Sequence, residues 1–225
     1  MKKLSVFLLL FCFVAFSCKK KDQTGPTTSP SVVLTDDTRC ISRVRVAQTA
    51  FSIDSSAFSE AVDLYNANHL PFNYLRWYRA TREYILLDGV NNYYFNVRGD
   101  EYMNGLRLLG GICMIHEFKN GVIDFQSGTT VPTSSLDTIP VLRLSQVRAA
   151  YVNQLLTNYG GNYRALQDSC LTAEFGYYDL NIGHSSVPNY SKAWMVYPTG
   201  SYSQLPVGYF KDDGSLISFT DGRVE

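Results

Sequence analysis

The sequence predicts an α+β protein made of two halves of the same order, a helix followed by an antiparallel meander. Three observations carry this expectation. Apolar residues recur at helical spacing twice, at Phe58-Ala61-Val62-Tyr65 and at Val147-Tyr151-Leu155. Each stretch is followed by short runs dense in aromatic and β-branched residues, separated by Asn-Gly or Asp-Gly turn signals. The composition, 45% hydrophobic with 16 Tyr, 13 Phe and 16 Gly, leans toward strand and turn rather than long helices. It excludes a disordered chain, a coiled coil and a multi-span membrane protein. With 20 basic against 20 acidic residues, no electrostatic argument points to nucleic acid.

In chain order, Lys2 and Lys3 precede an apolar run from Leu4 to Phe16. A run that short does not comfortably span about 30 Å of hydrocarbon, so it reads as a signal peptide rather than an anchor helix. Ala15-Phe16-Ser17-Cys18 resembles a relaxed bacterial lipobox, which makes Cys18 the expected lipidation site. A diacylglycerol and an N-acyl chain on that cysteine would give the two chains that stable anchoring needs. Lysine rather than aspartate follows Cys18, which favours the outer membrane. Loss of residues 1–17 removes two of the 20 basic residues and none of the 20 acidic ones, leaving a formal net charge of −2. Residues 19–38, rich in Lys, Thr, Ser, Pro and Asp, read as a tether.

Ser55 or Ser56 caps the first helix, and Asn66–His69 ends it. Phe72 to Leu87 and Tyr93 to Val97 alternate aromatic and polar residues in the manner of strands. Asn104-Gly105 is a turn, and strands at Leu108–His116 and Val122–Phe125 are joined by Lys119-Asn120-Gly121. In the second half Ser145 caps a helix with Val147, Tyr151, Val152 and Leu155 inward, and Tyr159-Gly160-Gly161-Asn162 ends it. Strands are expected at Leu171–Leu180, Ala193–Tyr197, Val207–Lys211 and Leu216–Phe219, the last two joined by Asp212-Asp213-Gly214. The expected organisation is signal peptide 1–17, acylated cysteine and tether 18–38, first α+β domain 39–128, linker 129–138 and second α+β domain 139–225.

Candidate chemistry is sparse. His116-Glu117 begins like HExxH, but Asn120 stands at the second histidine position. The strand context would also place i and i+4 about 13 Å apart, too far to share a zinc ion. His69, His116 and His184 are the only histidines, and no GxSxG accompanies them. Asp100-Glu101 and Asp212-Asp213 read as ordinary acids in turns rather than as a glycosidase pair. Of the cysteines left after cleavage, Cys40, Cys113 and Cys170 allow at most one internal disulfide, with the pairing open. No cofactor, metal or catalytic residue is expected. The cluster of Phe72, Tyr74, Trp77, Tyr78 and Tyr84 with Arg76, Arg79 and Arg82 reads first as strand core with a charged solvent face. As a binding surface, Trp77, Tyr78 and Arg79 are its candidate partner-contacting residues.

Tyr102-Met103-Asn104-Gly105-Leu106-Arg107-Leu108-Leu109-Gly110-Gly111, then Ile112–Glu117 and Lys119-Asn120-Gly121-Val122, resembles the propeptides of thermolysin- and fungalysin-type metalloproteases, with Arg107 where those have Pro. Ile139–Val147, Lys192–Tyr197 and Gly208–Leu216 are similar to the entry and closing strands of a PepSY domain. The resemblance covers roughly residues 50–222. It implies two cystatin-like, PepSY-like halves, each a helix packed on a curled antiparallel sheet. It also implies a noncatalytic role: binding an exported metallopeptidase or another envelope protein, as inhibitor or chaperone. With no protease sequence following Glu225, that action is expected in trans. The alternative from the residues is a surface lipoprotein that takes glycan or peptide ligands on an aromatic face.

Overall fold

The computed structural model describes residues 40–46, 52–111, 113–128, 132–159, 169–184, 187–201 and 204–221. Ten strands and two helices lie among them: β1 (Ile41–Val44), α1 (Ser55–Ala67), β2 (Leu75–Leu87), β3 (Val90–Met103), β4 (Leu106–Leu109), β5 (Met114–Lys119), β6 (Val122–Ser127), α2 (Leu144–Tyr159), β7 (Leu171–Asp179), β8 (Tyr190–Pro198), β9 (Val207–Lys211) and β10 (Leu216–Thr220). The expected α+β pair of helix-on-sheet halves, cystatin-like or PepSY-like, is not what forms. The strands join one mixed ten-stranded sheet, and the protein is mostly β.

The reason lies in β3. Its residues Tyr94–Gly99 pair with β5, while Tyr102 and Met103 pair with β4. β2 runs along its other edge from Glu101 to Val90, and Tyr102 N still donates to Tyr74 O at 2.7 Å. The sheet therefore forks at β3. One branch is β5–β6, and the other continues through β4 into β7, β8, β9 and β10. The junction between β4 and β7 is parallel, Leu108 facing Tyr177 and Leu109 facing Tyr178. Gly176 permits this approach, because a Cβ there would collide with Arg107 O and Leu109. At Gly110 the chain turns with φ +67°, which ends β4 and makes two strands of the single run expected over Leu108–His116.

Both helices lie on the same face of this sheet. Phe95 and Val97 sit in the core under α1, and Met103 of the same strand sits in the core under α2, all at odd-numbered positions. Ala57, Ala61 and Tyr65, one residue per turn, give α1 its buried stripe against Trp77 and Phe118. Asp54, rather than Ser55 or Ser56, is the cap, its Oδ1 accepting from Ala57 N at 2.8 Å. Val147, Tyr151 and Leu155 do the same for α2 against Phe175, Trp194 and Phe210. Gln146 Oε1 reaches back to Arg143 N at 2.8 Å, so the capping position lies ahead of Ser145. The expected end of α2 at Gly160–Asn162 lies outside the described residues.

β7 is the most enclosed strand, buried along its length except at Asp179. Leu171, Ala173, Phe175 and Tyr177 face α2, and Tyr178 joins a second core with Leu109, Ala193, Met195 and Val207 on the other face. A disulfide between Cys40 and Cys170 fixes the start of β1 to the start of β7. It closes a separation of 130 residues, for which loop-closure entropy gives about 4–5 kcal/mol. Cys113 is free. On the helix-free face Glu174 accepts both Arg107 Nε at 3.0 Å and Nη2 at 2.5 Å. Arg107 and Arg76 also share Asp100 at 3.6 and 3.5 Å. Burial works against the charged guanidinium of Arg107, but Glu174 and Asp100 more than offset it and raise its pKa above the ordinary arginine value.

Asp212 anchors the opposite edge. Its carboxylate accepts Trp194 Nε1 at 3.0 Å and the amides of Val141 and Leu142 at 2.7 and 3.2 Å, with Lys192 Nζ at 3.4 Å. The segment leading into α2 is thereby held against the β9–β10 turn. The 132–138 part of the expected linker lies on the fold, Leu136 O accepting from Tyr177 Oη at 3.1 Å and from Asn104 Nδ2 at 3.3 Å.

Candidate functional site

The residues that could meet a partner are found where the sheet stops. Among the described residues four strands pair on one side only, β1, β2, β6 and β10, and β1 is just four residues long. β6 is six residues long and bulged opposite Glu117 and Phe118, and Asn68 covers it, accepting from Ile123 N at 3.0 Å. β10 is five residues long and bulged between Leu216 and Ser218, with Phe219 drawn onto Tyr151 of α2. Bulges, shortness and side-chain cover are the usual protections of an exposed edge.

β2 lacks them over its second half. Its root is closed, since Ser52 N donates to Trp77 O at 3.1 Å. From Arg79 to Leu87 it pairs with β3 in unbroken register, and among the described residues nothing pairs with its outer side. The β2–β3 arm turns at Asp88-Gly89, both with positive φ (52° and 79°), the geometry of a two-residue hairpin turn. Near this tip Tyr84, Ile85, Leu86, Leu87 and Val90 are exposed, Tyr84 by 78% and Leu86 by 66%.

The arm is steadied from α1. Glu60 accepts Arg82 Nε at 2.8 Å and also the Tyr93 hydroxyl, and Arg82 lies over the Phe95 ring at 5.6 Å. Burial, and then the Glu60 carboxylate, push the Tyr93 pKa up to about 12. Tyr84 packs on Tyr93 with ring centroids 5.0 Å apart.

The three partner-contacting candidates do not form one surface. Trp77 is fully buried, in contact with Tyr65, Phe58 and Phe72, and has no face to offer a ligand. Tyr78 is the extra residue of a bulge, since Trp77 faces Gly99 and Arg79 already faces Arg98. It is half-buried, and burial and its contact with Cys113 raise its pKa. The bulge also reverses the alternation, so that Trp77 points under α1 while Arg79 is exposed on the helix-free side. Arg79 lies directly opposite Arg98, two exposed like charges across the ladder. Cys18, the expected lipidation site, lies outside the described residues.

The other candidates separate in the same way. Glu101 is buried on the helix side and Asp100 points to the other, so adjacent acids there do not converge. Asp213 closes its own turn with Ser215 while Asp212 is engaged in the core. His184 is exposed and His69 is a left-handed helix-end residue with φ 55°. His116 is buried beside Tyr65, ring centroids 5.2 Å apart, and neither ring nitrogen has a hydrogen-bond partner among the described residues. Burial lowers its pKa to about 4. Among the described residues no group of three or more His, Cys, Asp or Glu is placed to hold a metal ion. No helix among them is long and apolar enough to cross a membrane.

What the sequence reading missed is the arm itself. The signal was present in Leu86-Leu87-Asp88-Gly89-Val90, an Asp-Gly pair between apolar residues. No family model matches the chain, and no curated protein or solved structure matches it.

Proposed function

We propose that this chain is a noncatalytic, lipid-anchored envelope protein that holds another exported protein by strand addition along the outer side of β2. The observation that carries the reading is the contrast among edges: β6 and β10 are protected, and residues 79–87 of β2 are not. Strand addition draws its affinity from main-chain hydrogen bonds and its selectivity from alternate side chains. Here Arg79, backed by Arg98, would favour an acidic residue at one end of the guest strand, and Ile85 and Leu87 an apolar one at the other. The resemblance to metalloprotease propeptides makes an exported metallopeptidase the first partner to test, with inhibition or assisted folding as the outcome. The lipid on Cys18 and the outer-membrane location belong to the same proposal and rest on the lipobox-like sequence.

The test is inhibition in trans. The full chain, solubilised in detergent, is titrated into exported metallopeptidase recovered from the same envelope on the immobilised chain. The reading expects dose-dependent loss of peptidase activity, or higher recovery of active enzyme on refolding. It also expects Ile85→Lys/Leu87→Lys to lose the effect. An effect retained in full by that variant would remove β2 from the account. Recovery of no peptidase by a folded bait would remove this partner class.

A further inference from the structure

The outer edge of β2 beyond Trp77, unpaired among the described residues, fits one partner whose sequence is known, a second copy of the chain. We infer that the protein self-associates by antiparallel pairing of β2 with its own copy about a two-fold axis at Ile85. The inference uses the same edge as the proposed function but needs no other protein, so either can fail alone.

An edge strand pairs with itself antiparallel only about an axis normal to the sheet, which keeps each residue type on its own face and places one residue opposite its own copy. That restricts the registers to a few, and side-chain chemistry decides among them. Centring on Arg82 or on Glu83 sets identical charges directly opposite, which is destabilising. Centring on Thr81 drives the partner's Ile85 against Trp77, whose outward carbonyl is already taken by Ser52 N. Centring on Tyr84 sets Glu83 against the partner's Ile85 and Arg82 against its Leu86.

The register on Ile85 keeps one such contact, Glu83 against the partner's Leu87, but of the registers it alone sets Arg82 opposite an acid. Ile85 meets Ile85 of the copy, Tyr84 meets Leu86, and Leu86 meets Tyr84, each on its own face. Arg82 faces Asp88 of the copy, twice by symmetry. The side chains that would be covered are all exposed in the single chain: Tyr84 at 78%, Leu86 at 66% and Ile85 at 38%. The paired stretch is short, Glu83 to Leu87, so the dimer is of the small, reversible kind. A foreign strand bound at β2 must displace the copy. Self-association would thus cap the edge until a partner arrives.

The test is register-specific cross-linking in the full chain, solubilised in detergent. Ile85→Cys and Thr81→Cys are compared under mild oxidation by dissolved oxygen, with the unsubstituted chain as control for Cys113. Two thiols on the axis lose two electrons and two protons to form one intermolecular disulfide. Ile85→Cys is expected to give covalent dimer at least about tenfold faster than Thr81→Cys. Sedimentation of the unsubstituted chain at about 100 μM is expected to show dimer, and Leu86→Glu monomer. Equal cross-linking rates, faster cross-linking at Thr81→Cys, or an unsubstituted chain that is monomeric at that concentration would each overturn the inference. Tyr84, Ile85 and Leu86 are exposed in the single chain, so these substitutions do not test folding.

Discussion

The two branches of the sheet are built to opposite specifications. In the branch running through β7, the central strand is covered on both faces, fastened by the Cys40–Cys170 disulfide and crossed by the Arg107–Glu174 ion pair. In the branch around β2, one face carries α1, the other is open, and the outer edge of residues 79–87 has no described partner. The same strand, β3, serves both. The difference gives stability to the first branch and leaves the second, on the proposed function, for recognition.

Breaking the enclosed branch should give the largest effects. Cys40→Ser/Cys170→Ser is expected to lower unfolding free energy by about 4–5 kcal/mol, read as a fall in denaturant midpoint against the unsubstituted chain. A loss below about 1 kcal/mol would mean that packing alone holds β1 to β7. Glu174→Ala leaves a largely buried guanidinium with only the longer Asp100 ion pair at 3.6 Å and is expected to cost about 3 kcal/mol. In a double-mutant cycle, Glu174→Leu with Arg107→Met should recover most of that loss; failure to recover would show that the charges do more than satisfy each other.

Within the recognition branch the root and the edge should differ just as sharply. Trp77→Ala opens a cavity under α1 and is expected to cost about 3–5 kcal/mol, whereas Arg79→Ala should stay within about 0.5 kcal/mol. Similar losses for both would contradict the placement of the bulge at Tyr78.

His116 gives the same branch a pH dependence. The unfolded imidazole takes up its proton near its ordinary value of 6.5, the folded one only near 4. The unfolded state therefore binds more protons between these values. Stability is full above about pH 6.5 and falls as the pH drops, by about 3 kcal/mol at pH 4. His116→Leu should flatten that part of the profile; an unchanged slope would place its origin in other groups. The smallest effect is expected at the tip, where Leu86→Glu should change stability by no more than about 0.5 kcal/mol.

What was legible in the sequence was local. Ala57, Ala61 and Tyr65, and Val147, Tyr151 and Leu155, mark the two helices because helical periodicity is written in neighbouring residues. Asn104-Gly105 and Asn120-Gly121 mark turns because their positive φ values select for those residues. The joining of two segments into one sheet was not legible. It depends on β4 pairing in parallel with β7, strands separated by more than sixty positions, and no local pattern records that choice. The split of Trp77 from Arg79 was hidden for a similar reason: one extra residue at Tyr78 reverses the alternation without changing composition. The Cys40–Cys170 pairing was left open because spacing alone does not choose among three thiols.

The most direct measurement compares three of the edges in one assay. Ile85→Lys on β2, Phe125→Lys on β6 and Leu216→Lys on β10 place one charge each on an exposed apolar position, 38%, 52% and 43% accessible respectively. Each immobilised full chain is tested for retention of the peptidase captured by the unsubstituted protein. The account expects retention to fall at least about tenfold for Ile85→Lys and to stay within about twofold for the other two. Loss of retention with Phe125→Lys or Leu216→Lys, and none with Ile85→Lys, would contradict β2 as the docking edge.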